Sequence, residues 1–488
     1  MIETKREVDV AIIGAGSAGL VARRQALANG AKRVLLIEGG PYGTTCARVG
    51  CMPSKLLIAA AEAAHGAQKA GVFGVEAEVR VDGEAVMARV RRERDHFAGG
   101  VVESTEALPE DQKLRGWARF VGPKSLVVEG LDGEGETHVD AEVIVIAAGS
   151  APWVPPPLRD LGDRLLSNEN IFELATIPRS LAVVGTGVIG LELGQAMARL
   201  GARTRVFDVA TRMPLVKSEP MQAEVRRCFE ARLDLDLGVE DIAGERIELE
   251  GGGAGVRLSW TDAEGNAHSD EFEYVLAATG RRPQLERLQL AEAGIELDDR
   301  GAPLGLDERT GQIGEHPIFM AGDVTGTRPL LHEAAAEGRI AGINAGRWPD
   351  VRAQPRYVSL GVLFCDPQVA VVGEIPEEGE GEWWEAGEVS FGNQGRARVM
   401  AKNCGRARIY ASHKCGTLIA AELVGPQVEH LAHLLAWAIE EKVTAQRALA
   451  LPYYHPVLEE GLRTAIQRLA RKLKLVAKPH ALDCGPGV

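Results

Sequence analysis

At 488 residues the chain exceeds what one hydrophobic core serves, and ordinary domain sizes set an expectation of about three or four units. With 25% charged and 45% hydrophobic residues it reads as globular rather than disordered, and 69 acids against 55 bases give a net charge of −14 that argues against general affinity for nucleic acid or an anionic membrane. Seven cysteines in this length exclude a disulfide-dense secreted scaffold.

The opening stretch runs directly into a strand with no signal-peptide apolar region, and no run of 18 apolar residues follows. A cytoplasmic location and no membrane span are expected. The apolar run from Val8 to Ile13 ends at Gly14-Ala-Gly-Ser-Ala-Gly19, and an Ala-rich helix is predicted from Leu20 to Asn29, closed by Gly30. The next predicted strand, Arg33 to Glu38, ends in an acid 19 residues after Gly19, the spacing of a carboxylate that binds an adenosine ribose. Gly14, Gly16 and Gly19 would let the backbone approach a pyrophosphate at the N-terminus of the following helix.

The same pattern recurs downstream. Ser180 to Val184 leads into Gly185-Thr-Gly-Val-Ile-Gly190, then a helix to Leu200, Gly201 and a strand ending at Asp208. Two dinucleotide sites are implied. Asp208 would bind a ribose 2′-hydroxyl and repel a 2′-phosphate, which favours NAD over NADP, with Arg205 and Arg212 as flanking charges that could soften the preference. Two further strand-and-glycine segments, Val143 to Gly149 and Tyr274 to Gly280, suit places where the chain passes between domains. The block Ala151 to Pro157 reads as a stiff linker, and Glu250 to Gly255 as a hairpin turn. The resulting division is 1–152, 153–275, 276–348 and 349–488. In the last part strands are predicted at Arg396 to Val399 and Arg406 to Tyr410, before a helix from Gln427 to Glu441 whose Leu431, Leu434, Leu435, Ala438 and Ile439 form one apolar face. That face packs on a core or on a second subunit.

Between Gly43 and Lys55 lie Cys46 and Cys51. A plant-type iron–sulfur motif requires a cysteine at position 54, where the chain has Ser54, and no further soft ligands for zinc lie nearby, so no metal site is expected. Inert paired thiols and a redox dithiol remain. Lys55, one helical turn after Cys51, suits the second because a cation stabilises a thiolate. Cys228, Cys365, Cys404 and Cys415 have no close partners in sequence and are expected to be ordinary thiols.

Gly43 to Lys55, both glycine fingerprints, Ala321-Gly-Asp323 and His455-Pro-Val-Leu-Glu-Glu460 together resemble the flavoprotein disulfide reductases, the class I pyridine nucleotide-disulfide oxidoreductases, and among them most closely the dihydrolipoamide dehydrogenases. The resemblance runs from residue 8 to about 470. It implies an α/β fold with two Rossmann-like domains and a C-terminal α+β dimerisation domain, and FAD and NAD as cofactors. It implies that Cys51 faces the flavin and Cys46 exchanges with substrate, that Lys55 sits by the flavin paired with Glu192, and that Asp323 binds the ribityl chain. Ser17, Ala118, Gly149 and Gly280 complete the implied cofactor-binding positions. His455, oriented by Glu460, would exchange protons with the dithiol of the opposite subunit, which makes the active unit a homodimer with shared sites. The implied activity is oxidation of a dihydrolipoyl dithiol, on a separate protein or free, through a Cys46–Cys51 disulfide and FAD to NAD. The alternatives are another disulfide reductase, a mercuric reductase, disfavoured because the tail carries Cys484 alone rather than a pair, and a non-catalytic flavin-binding redox sensor.

Overall fold

The end of strand Thr4–Ile13, Val10 to Ile13, is apolar on both sides because both faces of the sheet are covered there. Val10 and Ile12 point to the core that holds helix Ser17–Ala28, while Ala11 and Ile13 point to the opposite core, as period-two side chains must. This computed structural model describes residues 4–475 apart from 134, 378 and 380–382. Cys484 and the end of the basic tail lie outside the described residues.

The fold has three units. In the first, Thr4–Ile13 is flanked by Val34–Glu38 and Glu136–Ile146, all parallel, and Ile318–Met320 adds beyond Glu136–Ile146. Lys113–Gly122 starts parallel to Val34–Glu38 and then forms an antiparallel meander with Ser125–Gly130 and Glu136–Ile146. Helix Leu331–Arg347 lies against Ser17–Ala28 at a close approach that only glycine permits. A Cβ on Gly338, Gly342 or Gly346 would come within 2.3, 2.4 or 2.5 Å of the carbonyl oxygens of Ala18, Ala22 and Ala26. This spacing-of-four stripe fixes the helix whose N-terminus carries the first glycine turn.

The second unit is a five-stranded parallel sheet in the order Asp234–Leu237, Arg203–Asp208, Ser180–Val184, Tyr274–Ala277, Leu165–Leu166, with helix Val188–Arg199 packed on it and an antiparallel sheet of Glu240–Glu248, Ala254–Thr261 and Ala267–Phe272 beside it. Glu250 to Gly253 form the turn of the first hairpin in that smaller sheet. The chain passes between the first two units on a two-stranded antiparallel ribbon, Ser150–Pro152 with Arg281–Pro283. The expected boundary at 275/276 is therefore corrected: it falls inside strand Tyr274–Ala277, which pairs with Ser180–Val184, and the crossing is at Arg281.

The third unit is an antiparallel sheet ordered Leu360–Leu363, Gln368–Gly373, Leu418–Gly425, Arg406–Ser412, Trp384–Ser390, covered by helices Val428–Glu440 and Glu459–Lys472. Residues Arg396–Val399, expected as a strand, lie in the one-turn helix Gly395–Val399, because Gln394 accepts from the Ala397 N–H and caps it at 2.8 Å. Leu431, Leu435 and Ile439 of the long helix are buried, but Leu434 and Trp437 stand 46% and 69% exposed on the single chain. Among the described residues no helix is long and apolar enough to cross a membrane.

Candidate active site

The two glycine turns are built alike. At the first, Glu38 accepts from the Ala15 N–H at 2.7 Å through one oxygen and from the Gly40 N–H at 2.6 Å through the other. At the second, Asp208 accepts from the Thr186 N–H at 2.6 Å and the Ala210 N–H at 2.9 Å. Each acid thus pins its turn against the end of the neighbouring strand while keeping lone pairs for a ribose hydroxyl. Gly14 and Gly185 have φ of +109° and +111° and leave no room for a Cβ beneath the carbonyls of Ala147 and Ala278. Gly19 and Gly190 are equally crowded by the Gly14 and Gly185 carbonyls. Gly16, in contrast, faces open space, and the nearest atom to a Cβ on Gly187 is 3.9 Å away. Tight glycines below and an open one above form a backbone cradle that a pyrophosphate fits. Ser17 opens the helix behind the first cradle, and Gly149 and Gly280 take left-handed φ at the ends of the crossing segments. Ala118 is buried in the meander strand, packed with Leu35 and Ile37 in one core.

The redox segment follows from a tight double turn. Thr44, at φ 58°, caps the short helix Thr45–Val49 by accepting from the Ala47 N–H, and Gly50 lets the chain reverse against Cys46 into helix Cys51–Gln68. Cys46 and Cys51 are both free thiols in hydrogen-bonding contact. The contact polarises them: the donor bond from Cys46, and then the Lys55 charge, bring Cys51 down to about 7, whereas Cys46, as the donor and partly buried, is pushed far up. The N-terminal end of the long helix adds a favourable dipole at Cys51.

Behind the thiols all three units converge. Lys55 Nζ lies 2.7 Å from Glu192 Oε2 and 4.7 Å from the Phe364 ring centroid, and Glu192 Oε1 accepts from the Phe364 N–H at 2.9 Å. Glu192 is 3% exposed, so its charge is held by this ammonium and this amide rather than by water. A second chain of bonds was not foreseen from the sequence. Asp323 accepts from the Ser150 hydroxyl at 2.9 Å, Arg281 Nε donates to the same oxygen at 2.9 Å and its Nη1 to Asn168 at 2.9 Å, and Asn168 donates to the Val49 carbonyl at 2.8 Å. It ties the Asp323 turn, the crossing ribbon and the redox segment together. Gly322, next to Asp323, donates its N–H to buried Glu337 at 2.8 Å.

His455 Nδ1 lies 2.9 Å from Glu460 Oε1, and Glu460 Oε2 accepts from the Val457 N–H. The carboxylate fixes the proton on Nδ1 and leaves Nε2 free to accept one. Cys46, Cys51, Lys55 and Glu192 form one cluster, and His455 with Glu460 forms a separate, exposed pair on the third unit. Among the described residues no set of three or more His, Cys, Asp or Glu side chains is grouped to hold a metal ion.

Comparison with known proteins agrees with this layout. Residues 8–338 match the pyridine nucleotide-disulphide oxidoreductase family and residues 360–466 its dimerisation domain. The chain is 32% identical over 472 residues to a dihydrolipoyl dehydrogenase of Haloferax volcanii, covering 94% of this chain and 95% of that one, and 30% identical over 463 residues to one of Bacillus subtilis, covering 94% and 97%. Its fold is that of LpdA from Mycobacterium tuberculosis, at TM-score 0.80 and 23% identity over 96% of this chain and 99% of the other. The HOCl-induced flavoprotein disulfide reductase RclA from Escherichia coli gives TM-score 0.77 at 22% identity, covering 94% and 99%. Glycine cradles, polarised dithiol and matched sequence agree, and the chain belongs to the pyridine nucleotide-disulphide oxidoreductase family.

Proposed function

We propose that the protein is a dihydrolipoyl dehydrogenase that oxidises a dihydrolipoyl dithiol with NAD. The observation that carries this reading is the Cys46–Cys51 dithiol at the start of helix Cys51–Gln68, backed by the Lys55–Glu192 ion pair at 2.7 Å. His455 Nε2 takes a proton from the substrate dithiol. The resulting thiolate attacks Cys46 in the Cys46–Cys51 disulfide; the S–S bond breaks and its electron pair leaves on Cys51, whose low pKa makes it the better leaving group. The second substrate thiol then closes on the mixed disulfide and expels Cys46, which takes the proton held by His455, while the proton of that second thiol passes to the His455 Nε2 so vacated. The chemistry a bound FAD would supply is the conversion of the reduced pair's two electrons into a hydride for the nicotinamide.

Glu38, Gly14, Gly16, Ser17 and Gly19, with Ala118, Gly149 and Asp323, would hold the FAD; Gly185, Gly187, Gly190, Asp208 and Gly280 would hold the NAD. Asp208 supports NAD over NADP, and the two arginines beside it are already engaged: Arg205 with Asp236 at 2.6 Å and Arg212 with Glu219 at 2.7 Å. A twofold homodimer with shared sites, in which His455 serves the partner's dithiol, is supported by the matched dimerisation domain and the exposed Leu434 and Trp437. The dithiol arrives on a separate protein or free, and the setting is the cytoplasm.

Anaerobic mixing of the oxidised holoenzyme with dihydrolipoamide, followed by denaturing alkylation, tests the thiol step. Cys46 and Cys51 gain label before any NAD is added. Absence of that gain, or its persistence at Cys51 in Cys46→Ser, contradicts the assignment.

A further inference from the structure

Cys228 and Cys404, far apart in the chain, meet where the second and third units touch. Cys228 is fully buried on the last turn of helix Glu219–Glu230, and Cys404 is partly exposed in the turn before strand Arg406–Ser412. Both are free thiols packed in one core, where Cys404 is a hydrogen-bonding neighbour of Cys228 and Glu224 Oε1 accepts from the Cys228 thiol at 3.9 Å. Arg232 clamps the pair: its Nη2 lies 3.3 Å from Cys404 Sγ, and its Nη1 donates to the Cys228 carbonyl at 2.7 Å. Arg227 Nη2 is 3.7 Å from Cys228 Sγ and is itself paired with Glu224.

The consequence is a polarised dithiol like Cys46–Cys51, away from it and without a place in its chemistry. The Cys228 bond and the Arg232 charge bring Cys404 down to about 6, and the shared proton and burial push Cys228 far up. Such a thiolate, open on one side and backed by a buried thiol, has the features of a peroxide-sensing cysteine with its resolving partner.

We propose that Cys228 and Cys404 form a second redox centre, oxidised by hydroperoxides to a disulfide that joins the second and third units. The Cys404 thiolate attacks a peroxide oxygen and the O–O bond breaks. Cys404 becomes a sulfenic acid, and the leaving hydroxide or alkoxide picks up a proton. The Cys228 sulfur then attacks Cys404; the S–S bond forms, the S–O bond breaks, and the hydroxyl leaves with the Cys228 proton as water. Two thiols give up two electrons, and one peroxide is reduced.

The disulfide would fix the C-terminal end of a helix whose start is already docked. There the buried Glu422 carboxylate accepts from the Lys217 and Ser218 N–H groups and from the hydroxyls of Ser218 and Tyr410. Oxidation would lock the nucleotide-binding unit to the third unit at both ends of Glu219–Glu230.

The test treats reduced, reductant-free holoenzyme with a small excess of hydrogen peroxide over the two equivalents per protomer that two dithiols consume, then alkylates it under denaturing conditions and maps the peptides. The expected result is a Cys228–Cys404 linked peptide in addition to the Cys46–Cys51 one, reversed by dithiothreitol, and capture of Cys404 by dimedone in Cys228→Ser. Full alkylation of both Cys228 and Cys404 after the Cys46–Cys51 disulfide has re-formed overturns the proposal, as does a disulfide from Cys404 to a different cysteine. The mapping on the parent protein decides the matter even if Cys228→Ser fails to fold.

Discussion

Replacing Cys46 by Ala isolates the interaction that sets the acidity of Cys51. In the parent, Cys51 is drawn from 9.0 to about 7, first by the hydrogen bond from Cys46 and next by the Lys55 charge, against an opposing effect of burial. A donor to sulfur favours the thiolate, so its loss raises the pKa. Lys55 remains in Cys46→Ala but burial outweighs it, so Cys51 rises back toward its ordinary value, by roughly one unit or more. One unit corresponds to at most about 1.4 kcal/mol of lost thiolate stabilisation, and to less where water screens the sulfur. At pH 6 the thiolate fraction drops about tenfold. Cys46→Ser keeps a donor and shifts Cys51 by roughly half a unit or less. The titration is read from the β-carbon resonance of labelled cysteine in the reduced holoenzyme. An unchanged Cys51 titration in Cys46→Ala, or equal shifts in the Ala and Ser variants, refutes the reasoning.

Three other perturbations follow from the same geometry. His455→Gln lowers kcat about 10²- to 10⁴-fold for loss of a general acid–base group, and Glu460→Gln, which keeps an acceptor for Nδ1, costs less; steady-state rates with dihydrolipoamide check the order. Asp208→Ala removes the acceptor that holds Thr186 and would meet the ribose, so KM for NAD rises about tenfold or more while the preference over NADP narrows, measured with both nucleotides. Glu422→Leu strands the donors of Lys217, Ser218 and Tyr410 between the second and third units and lowers stability by roughly 2–5 kcal/mol in denaturant unfolding.

What could be read from the sequence is what chain-local physics dictates. Gly14, Gly19, Gly185 and Gly190 are legible because the close approach to a neighbouring carbonyl excludes any other residue, and Glu38 and Asp208 because strand length fixes their distance from those turns. Arg396 to Val399 alternates polar and apolar side chains like a strand, yet a single cap from Gln394 turns it into helix, with Ala397 buried and Val399 61% exposed. Contacts between distant segments left no local mark. Ser150, Asn168 and Arg281 join Asp323 to the redox segment only after the ribbon has crossed, and Cys228 finds Cys404 only when two units dock. The glycine stripe Gly338, Gly342, Gly346 was readable in principle as a spacing of four matched by Ala18, Ala22 and Ala26.

The central claim is that the Cys46–Cys51 pair passes electrons from a dihydrolipoyl dithiol to NAD. Steady-state NADH formation from dihydrolipoamide by the purified holoenzyme tests it most directly, run beside NADP and beside glutathione disulfide with NADPH. The account predicts turnover with dihydrolipoamide and NAD that exceeds both comparisons and is abolished in Cys46→Ser. Faster glutathione disulfide reduction with NADPH, or NADH formation that survives in Cys46→Ser, contradicts it.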